Sequence, residues 1–333
     1  MVQRGAVVTP RVARVLTVDL EDIQGIALHG YRRQRVARFH LVSFGDGEAR
    51  RAVARLVPEV SSAAEPGARH RHNLALTISG LRALGLNDAE LAQFPRELRQ
   101  GMAHPERAAA LADFAANSAV GWEFGGPKGP PLDALWMTFA ETPEQLDALS
   151  AERERLFQRF ALAWQAHDVG ALAAEPALPA PRVRRSERVP WGEFILGRRD
   201  VVGERLAGPF VRVKLGARPF PEWHKRQNAL DLGQNGSYLV LRKLEHAHVD
   251  PDHTQTPELS RAHRLLVRTR RHEAGSWLLA LNASIRRQFE FVHQARSSGL
   301  GADESRHATR VRGGAYFFLP SMSALNYLAE PGG

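Results

Sequence analysis

The chain contains no cysteine. Disulfides, iron–sulfur clusters, thiolate haem ligation and cysteine nucleophiles are therefore excluded. Any metal site must draw on His, Asp, Glu or Tyr. Fourteen histidines are present, and His246, His248, His253 and His263 crowd into one polar stretch. Just beyond them, Arg268, Arg270 and Arg271 form a basic run. Imidazole is suited to binding a metal or moving a proton near neutral pH. A fixed guanidinium is suited to stabilising negative charge as it develops. Other catalytic signatures are missing: there is no Gly-x-Gly-x-x-Gly, no P-loop and no His-Glu-x-x-His.

These residues need a scaffold, and the composition can supply one. The 333 residues are 44% hydrophobic, enough for two domains with real cores. The 45 basic and 36 acidic residues leave a net charge of +9, carried mostly by arginine and spread along the chain. Such a balance admits an anionic partner, but the arginines are not interleaved with aromatics as a nucleic-acid stacking platform requires. No nucleic acid is expected as a partner. Arg11, Arg14 and Asp19 interrupt every apolar run near the N-terminus, so no signal peptide is expected. No apolar stretch approaches the length of a membrane span. The expected location is the cytoplasm.

Periodicity gives an α+β order. Strands are predicted at 36–44, 72–78, 135–139, 238–243, 264–267, 277–281 and 314–319. Helices are predicted at 49–56, after a Ser79 cap, over 143–164, at 285–294 and at 321–328. The Ala/Pro- then Arg-rich stretch 170–190 reads as a boundary. The second half repeats the layout of the first, which suits antiparallel sheets with helices on one face.

Seven segments, in order, resemble the dye-decolorizing (DyP-type) haem peroxidases. They are Asp22-Ile-Gln-Gly25; His72 to Thr77 with Ser79 to Gly85; Phe94 to Met102; Trp191 to Gly197; Leu232 to Val240; Ser276 to Val292; and Arg312 to Pro320. The resemblance implies two ferredoxin-like domains of the dimeric α+β-barrel type, each an antiparallel sheet with helices on one face. On that pattern 1–170 is the N-terminal domain, 171–190 a linker, and 191–333 a C-terminal domain carrying the haem site. Phe289 and Phe291 are expected in the second core, with Arg286 and Arg287 facing solvent.

The resemblance also implies a cofactor, haem b, and partners: hydrogen peroxide, an organic reductant such as a dye or phenol, and further copies of the chain. It assigns the iron ligand to His248, with His263 as runner-up. It assigns the arginine of the peroxide side to Arg268, twenty positions on. The family's Gly-x-x-Asp-Gly is absent, and its place before Trp191 is taken by the Ala/Pro/Arg stretch. Glu187, Glu193 and Asp200 lie near the gap, and Glu193 reads as structural. Two functional readings follow: a divergent haem peroxidase, or a scaffold that has lost haem and serves protein association.

Overall fold

The structure is a computed structural model describing residues 19–45, 48–65, 67–173, 182–184, 187–188, 191–199, 232–246, 266–272, 274–297 and 309–330. The first half contributes strands β1 (Val36–Ser43), β2 (Arg71–Leu76), β3 (Ala134–Ala140) and β4 (Ala163–Val169). A short β5 (Leu172–Ala173) follows, then a separate hairpin of β6 (Arg182–Arg184) and β7 (Glu187–Arg188). The second half contributes β8 (Ser237–His246), β9 (Leu266–His272), β10 (Gly275–Asn282) and β11 (Thr309–Leu319).

One nine-stranded antiparallel sheet runs in the order β4-β1-β3-β2-β11-β8-β10-β9-β5. Each half therefore repeats one order: its last strand, its first, its third, its second. That is the ferredoxin-like arrangement, met twice in the chain. The repeat inferred from the element order is present in the topology. The sheet's two ends also meet. The chain leaves β4 at one edge and pairs within three residues, as β5, with β9 at the other: Leu172 lies opposite Arg270.

Side chains alternate between the faces with period two. In β3, Ala134 and Trp136 enter one core, while Leu135, Met137 and Phe139 enter the other. In β10, Leu278 and Ala280 divide from Trp277, Leu279 and Leu281 in the same way. The first core is covered by helices α2 (Ala49–Leu56), α3 (Ile78–Ala83), α4 (Asp88–Leu91), α5 (Arg96–Gln100), α6 (Pro105–Leu111) and α7 (Pro143–Arg159), α1 being Gly25–Leu28. From the second half come a π-helical turn (Ile285–Glu290) and two helices, Phe291–Ser297 and Met322–Ala329. Helices on one face hold for all of these. Among the described residues, two short helices, α1 and Trp191–Ile195, belong to the opposite core. No helix among the described residues is long and apolar enough to cross a membrane.

Three expectations change in detail. Helix α7 stops at Arg159, because Ala161 adopts φ +53°, and Trp164 lies in β4. It still reaches its helical neighbour, with the Phe157 and Trp164 rings 5.7 Å apart. Thr77, not Ser79, caps α3, its Oγ1 accepting from the Gly80 amide at 3.2 Å. Phe291 is 44% exposed, whereas Phe289 is buried. Two positions apart on a helical turn, they cannot share a face.

Where β2 meets β11, the two halves of the sheet pair among the described residues through Leu76 with Phe318. Gln24 reinforces that seam. Its buried amide donates to Leu74 O at 2.8 Å and to Pro320 O at 2.9 Å, and its Oε1 accepts from Leu74 N at 3.0 Å. Gln24→Leu should destabilise the chain by about 3 kcal/mol or more, because it strands buried backbone groups on both halves. A urea midpoint unchanged from the parent would refute this role.

Candidate functional site

His248 and His263 lie outside the described residues, as does Asp200. Glu187 lies in β7. Glu193 acts through its backbone: its carbonyl accepts from the amides of Arg198 at 2.8 Å and Arg199 at 3.0 Å.

Arg268 lies in β9, opposite Leu279. Strand alternation sends its side chain to the face away from the main helices, together with Leu266 and Arg270. There it is 4% exposed, and its Nη1 donates to the carbonyl of Ile26. Arg270 fans over three carbonyls: Gly170 O at 3.1 Å, Gln34 O at 3.3 Å and Tyr31 O at 3.4 Å. Its guanidinium also stacks 4.8 Å above the Phe139 ring. Burial first, then neighbouring Arg268, pulls the Arg270 pKa down to about 9. Trp277 stands opposite Arg270 on β10. Trp277 meets Phe39 edge-on at 5.7 Å and stacks on Phe124 at 5.7 Å.

The helix-covered face holds a polar group that the sequence reading missed. Arg242 of β8 is buried and donates to Asp113 at 2.5 Å. Nearby, the Tyr316 hydroxyl donates to Glu290 Oε1 at 2.8 Å, and Arg107 donates to Glu290 Oε2 at 2.7 Å. Burial raises the pKa of both Asp113 and Glu290, against the pull of their arginines. Glu290 stands at the end of the π-helical turn, at the floor of a cavity of about 430 Å³ that Arg96, Glu97, Arg107 and Arg286 also line. A buried carboxyl between a cation and a phenol is able to hold or pass a proton there. The sequence carries one faint signal for this cluster: the single charged residue Glu290 set between Phe289 and Phe291.

A second polar cluster lies under α7 in the first half. His40 Nε2 meets Glu154 at 3.2 Å, and His72 Nδ1 meets Thr138 Oγ1 at 3.2 Å. Arg153 stacks over Trp136 and bonds Glu59. Among the described residues no group of three or more His, Cys, Asp or Glu is placed to hold a metal ion.

No protein-family model and no curated protein sequence matches the chain. Solved structures do match. A dye-decolorizing peroxidase in complex with 2,6-dimethoxyphenol is 15% identical, with a TM-score of 0.63 over 94% of this chain and 100% of that one. The decolorizing peroxidase from Auricularia auricula-judae is 14% identical, with a TM-score of 0.63 over the same shares. A dye-decolorizing peroxidase engineered in its haem pocket for asymmetric sulfoxidation gives 13% and 0.63. The chain has a peroxidase-like fold of the dye-decolorizing type.

Two outcomes follow from these clusters. Asp113→Ala should cost about 3–5 kcal/mol, since it leaves the buried Arg242 charge unpaired. Replacing both residues with leucine should recover much of that loss; equal denaturation midpoints for the single and double variants would contradict the pairing. Burial lowers the pKa of His40 to about 4 and of His72 to about 3, so both are neutral when folded. Unfolded histidine takes up its proton near about 6.5. The unfolded chain then binds more protons, and stability falls from about pH 6.5 down through about pH 4. The thermal midpoint should decline over that range, and less steeply in His72→Gln.

Proposed function

We propose that this chain is a haem-peroxidase-like protein of the dye-decolorizing type. In this reading it oxidises a dye, a phenol or another organic reductant with hydrogen peroxide, and holds haem b through His248, with His263 as the alternative ligand. The supporting observation is the doubled ferredoxin-like strand order, which matches such peroxidases over nearly the whole of both chains. When bound, haem supplies the redox chemistry, and the protein supplies the ligand and the electrostatics around it.

The described residues do not by themselves form a haem site. Arg268, assigned by resemblance to the peroxide side, is bonded to the Ile26 carbonyl within the packed interior. No catalytic step is derived through the cofactor. Arg268's placement favours a second reading, in which the peroxidase scaffold is kept and the chain serves protein association without catalysis.

Expression with ample haem separates the two. The first reading expects a Soret band that His248→Ala abolishes or shifts, and that fades as pH falls, because imidazolium cannot coordinate iron. A spectrum unchanged in His248→Ala would overturn the ligand assignment. A protein that stays colourless after reconstitution would overturn the peroxidase reading and leave the scaffold.

A further inference from the structure

Two adjoining hollows, of about 570 and 330 Å³, share Arg55, Arg159 and Phe160 and so form one groove between α2 and α7. Each helix keeps its apolar side for the core. Helix α2 buries Ala49, Ala52, Val53 and Leu56, and α7 buries Leu146 and Phe157. Their exposed sides carry arginines at i,i+4 spacing: Arg51 with Arg55, and Arg155 with Arg159. Residues at that spacing are neighbours on a helix, and all four of these arginines line the groove. Like charges so placed repel, and a bound anion relieves both pairs at once.

The nearby acids leave this charge standing. Glu48 is engaged by Arg51 at 2.9 Å. Glu59 and Glu154 are engaged beneath α7, by Arg153 and by His40. Among the described residues Arg55, Arg155 and Arg159 make no ion pair, although Glu152 lines the same groove. Between the arginines, Ala54, Leu156 and Phe160 give the groove an apolar lining.

These features choose among anions. A free phosphate would fill a small part of the groove and leave its apolar lining wet. A nucleic acid needs exposed rings on which to stack its bases, and Phe160 is only 8% exposed. An anionic membrane surface takes inserted apolar side chains, and the large exposed ones, Leu20, Phe114, Val120 and Phe291, lie outside α2 and α7. An acidic peptide meets both demands. Its carboxylates can take the guanidiniums in bidentate pairs, and an apolar side chain between them covers the lining.

We propose that the α2–α7 groove docks an acidic segment of a protein partner, its carboxylates on Arg51, Arg55, Arg155 and Arg159 and an apolar side chain against Phe160. The groove stands on the helix-covered face, away from Arg268, and needs no haem, so its test and the Soret test fail separately.

The probe is a fluorescent peptide of repeated Glu-Glu-Leu, titrated into the full chain at low salt and followed by anisotropy. It should bind saturably, and repeated Gln-Gln-Leu should not. Arg55→Glu or Arg159→Glu should each weaken binding about tenfold or more, since reversal puts like charges together. Arg35→Glu, an equal change of charge at an exposed site outside the groove, should leave binding unchanged. Equal losses in all three variants, or equal binding of Gln-Gln-Leu, would overturn the site. Repeated Glu-Glu-Gly binding as tightly as Glu-Glu-Leu would overturn the apolar contact. Inorganic phosphate, an oligonucleotide or anionic-lipid vesicles binding as tightly through Arg55 would overturn the peptide as occupant. Should the variants fail to fold, a photo-crosslinking form of the peptide decides on the parent chain. Its crosslinks should fall in 48–55 and 152–161, and crosslinks confined to other segments refute the groove.

Discussion

The fold depends on joining two half-sheets whose central β2–β11 seam is a single ladder pair among the described residues. Leu76 and Phe318 supply one ladder pair there, and the Gln24 amide reinforces it by bonding Leu74 on one side and Pro320 on the other. A buried amide suits this position, because it carries two donors and an acceptor and can satisfy both strand ends at once. Around it the same logic recurs. The Asp22 carboxylate, its pKa raised by burial, accepts from Asn235 at 2.7 Å and from the Ser323 amide at 2.9 Å. Asn235 accepts from Arg198 at 2.7 Å, and Ser237 Oγ donates to the carbonyls of Ile195 and Asn282.

That network explains why these motifs are recognisable at all. The Asp22-Ile-Gln-Gly25, Trp191–Gly197, Leu232–Val240 and Ser276–Val292 segments are far apart in sequence, yet their polar groups bond one another. Changing one member strands a buried partner, at a cost of about 1–3 kcal/mol for each group left unpaired. Their wording is thus fixed by seam chemistry, independently of what any active site does.

The elements are largely legible in the sequence because both faces of the sheet are buried and alternation is strict. Sequence reading fails where a spacing rule is satisfied by another geometry. Trp164 stands at helical distance from Phe160 and Leu156, but it reaches Phe157 from a strand after the chain reverses at Ala161. Phe291 has apolar neighbours in sequence, and the helical turn nonetheless carries it out to solvent. The candidate site is far less legible. The choice of Arg268 rests on its surroundings in sequence, which do not encode which face of β9 it occupies. Arg242 stands in β8, the strand next to β10 on the other side, with no motif to mark it. Yet it lies on the helix-covered face with a carboxylate partner.

Closure of the sheet sharpens the difference between those two arginines. Because β5 returns to β9, the face bearing Arg268 and Arg270 is enclosed against Phe39, Phe139 and Trp277. The guanidiniums there donate to the carbonyl oxygens of Ile26, Gln34, Tyr31 and Gly170. Such a cation ties down the loops that carry those carbonyls, so its removal would loosen the closure itself. The opposite face keeps its charges as pairs, Arg242 with Asp113 and Arg107 with Glu290, beside a cavity. A pair can exchange its proton or its partner when something enters. The buried Arg268 and Arg270 bonds thus fasten the interior face, while the paired charges lie beside a cavity on the helix-covered one.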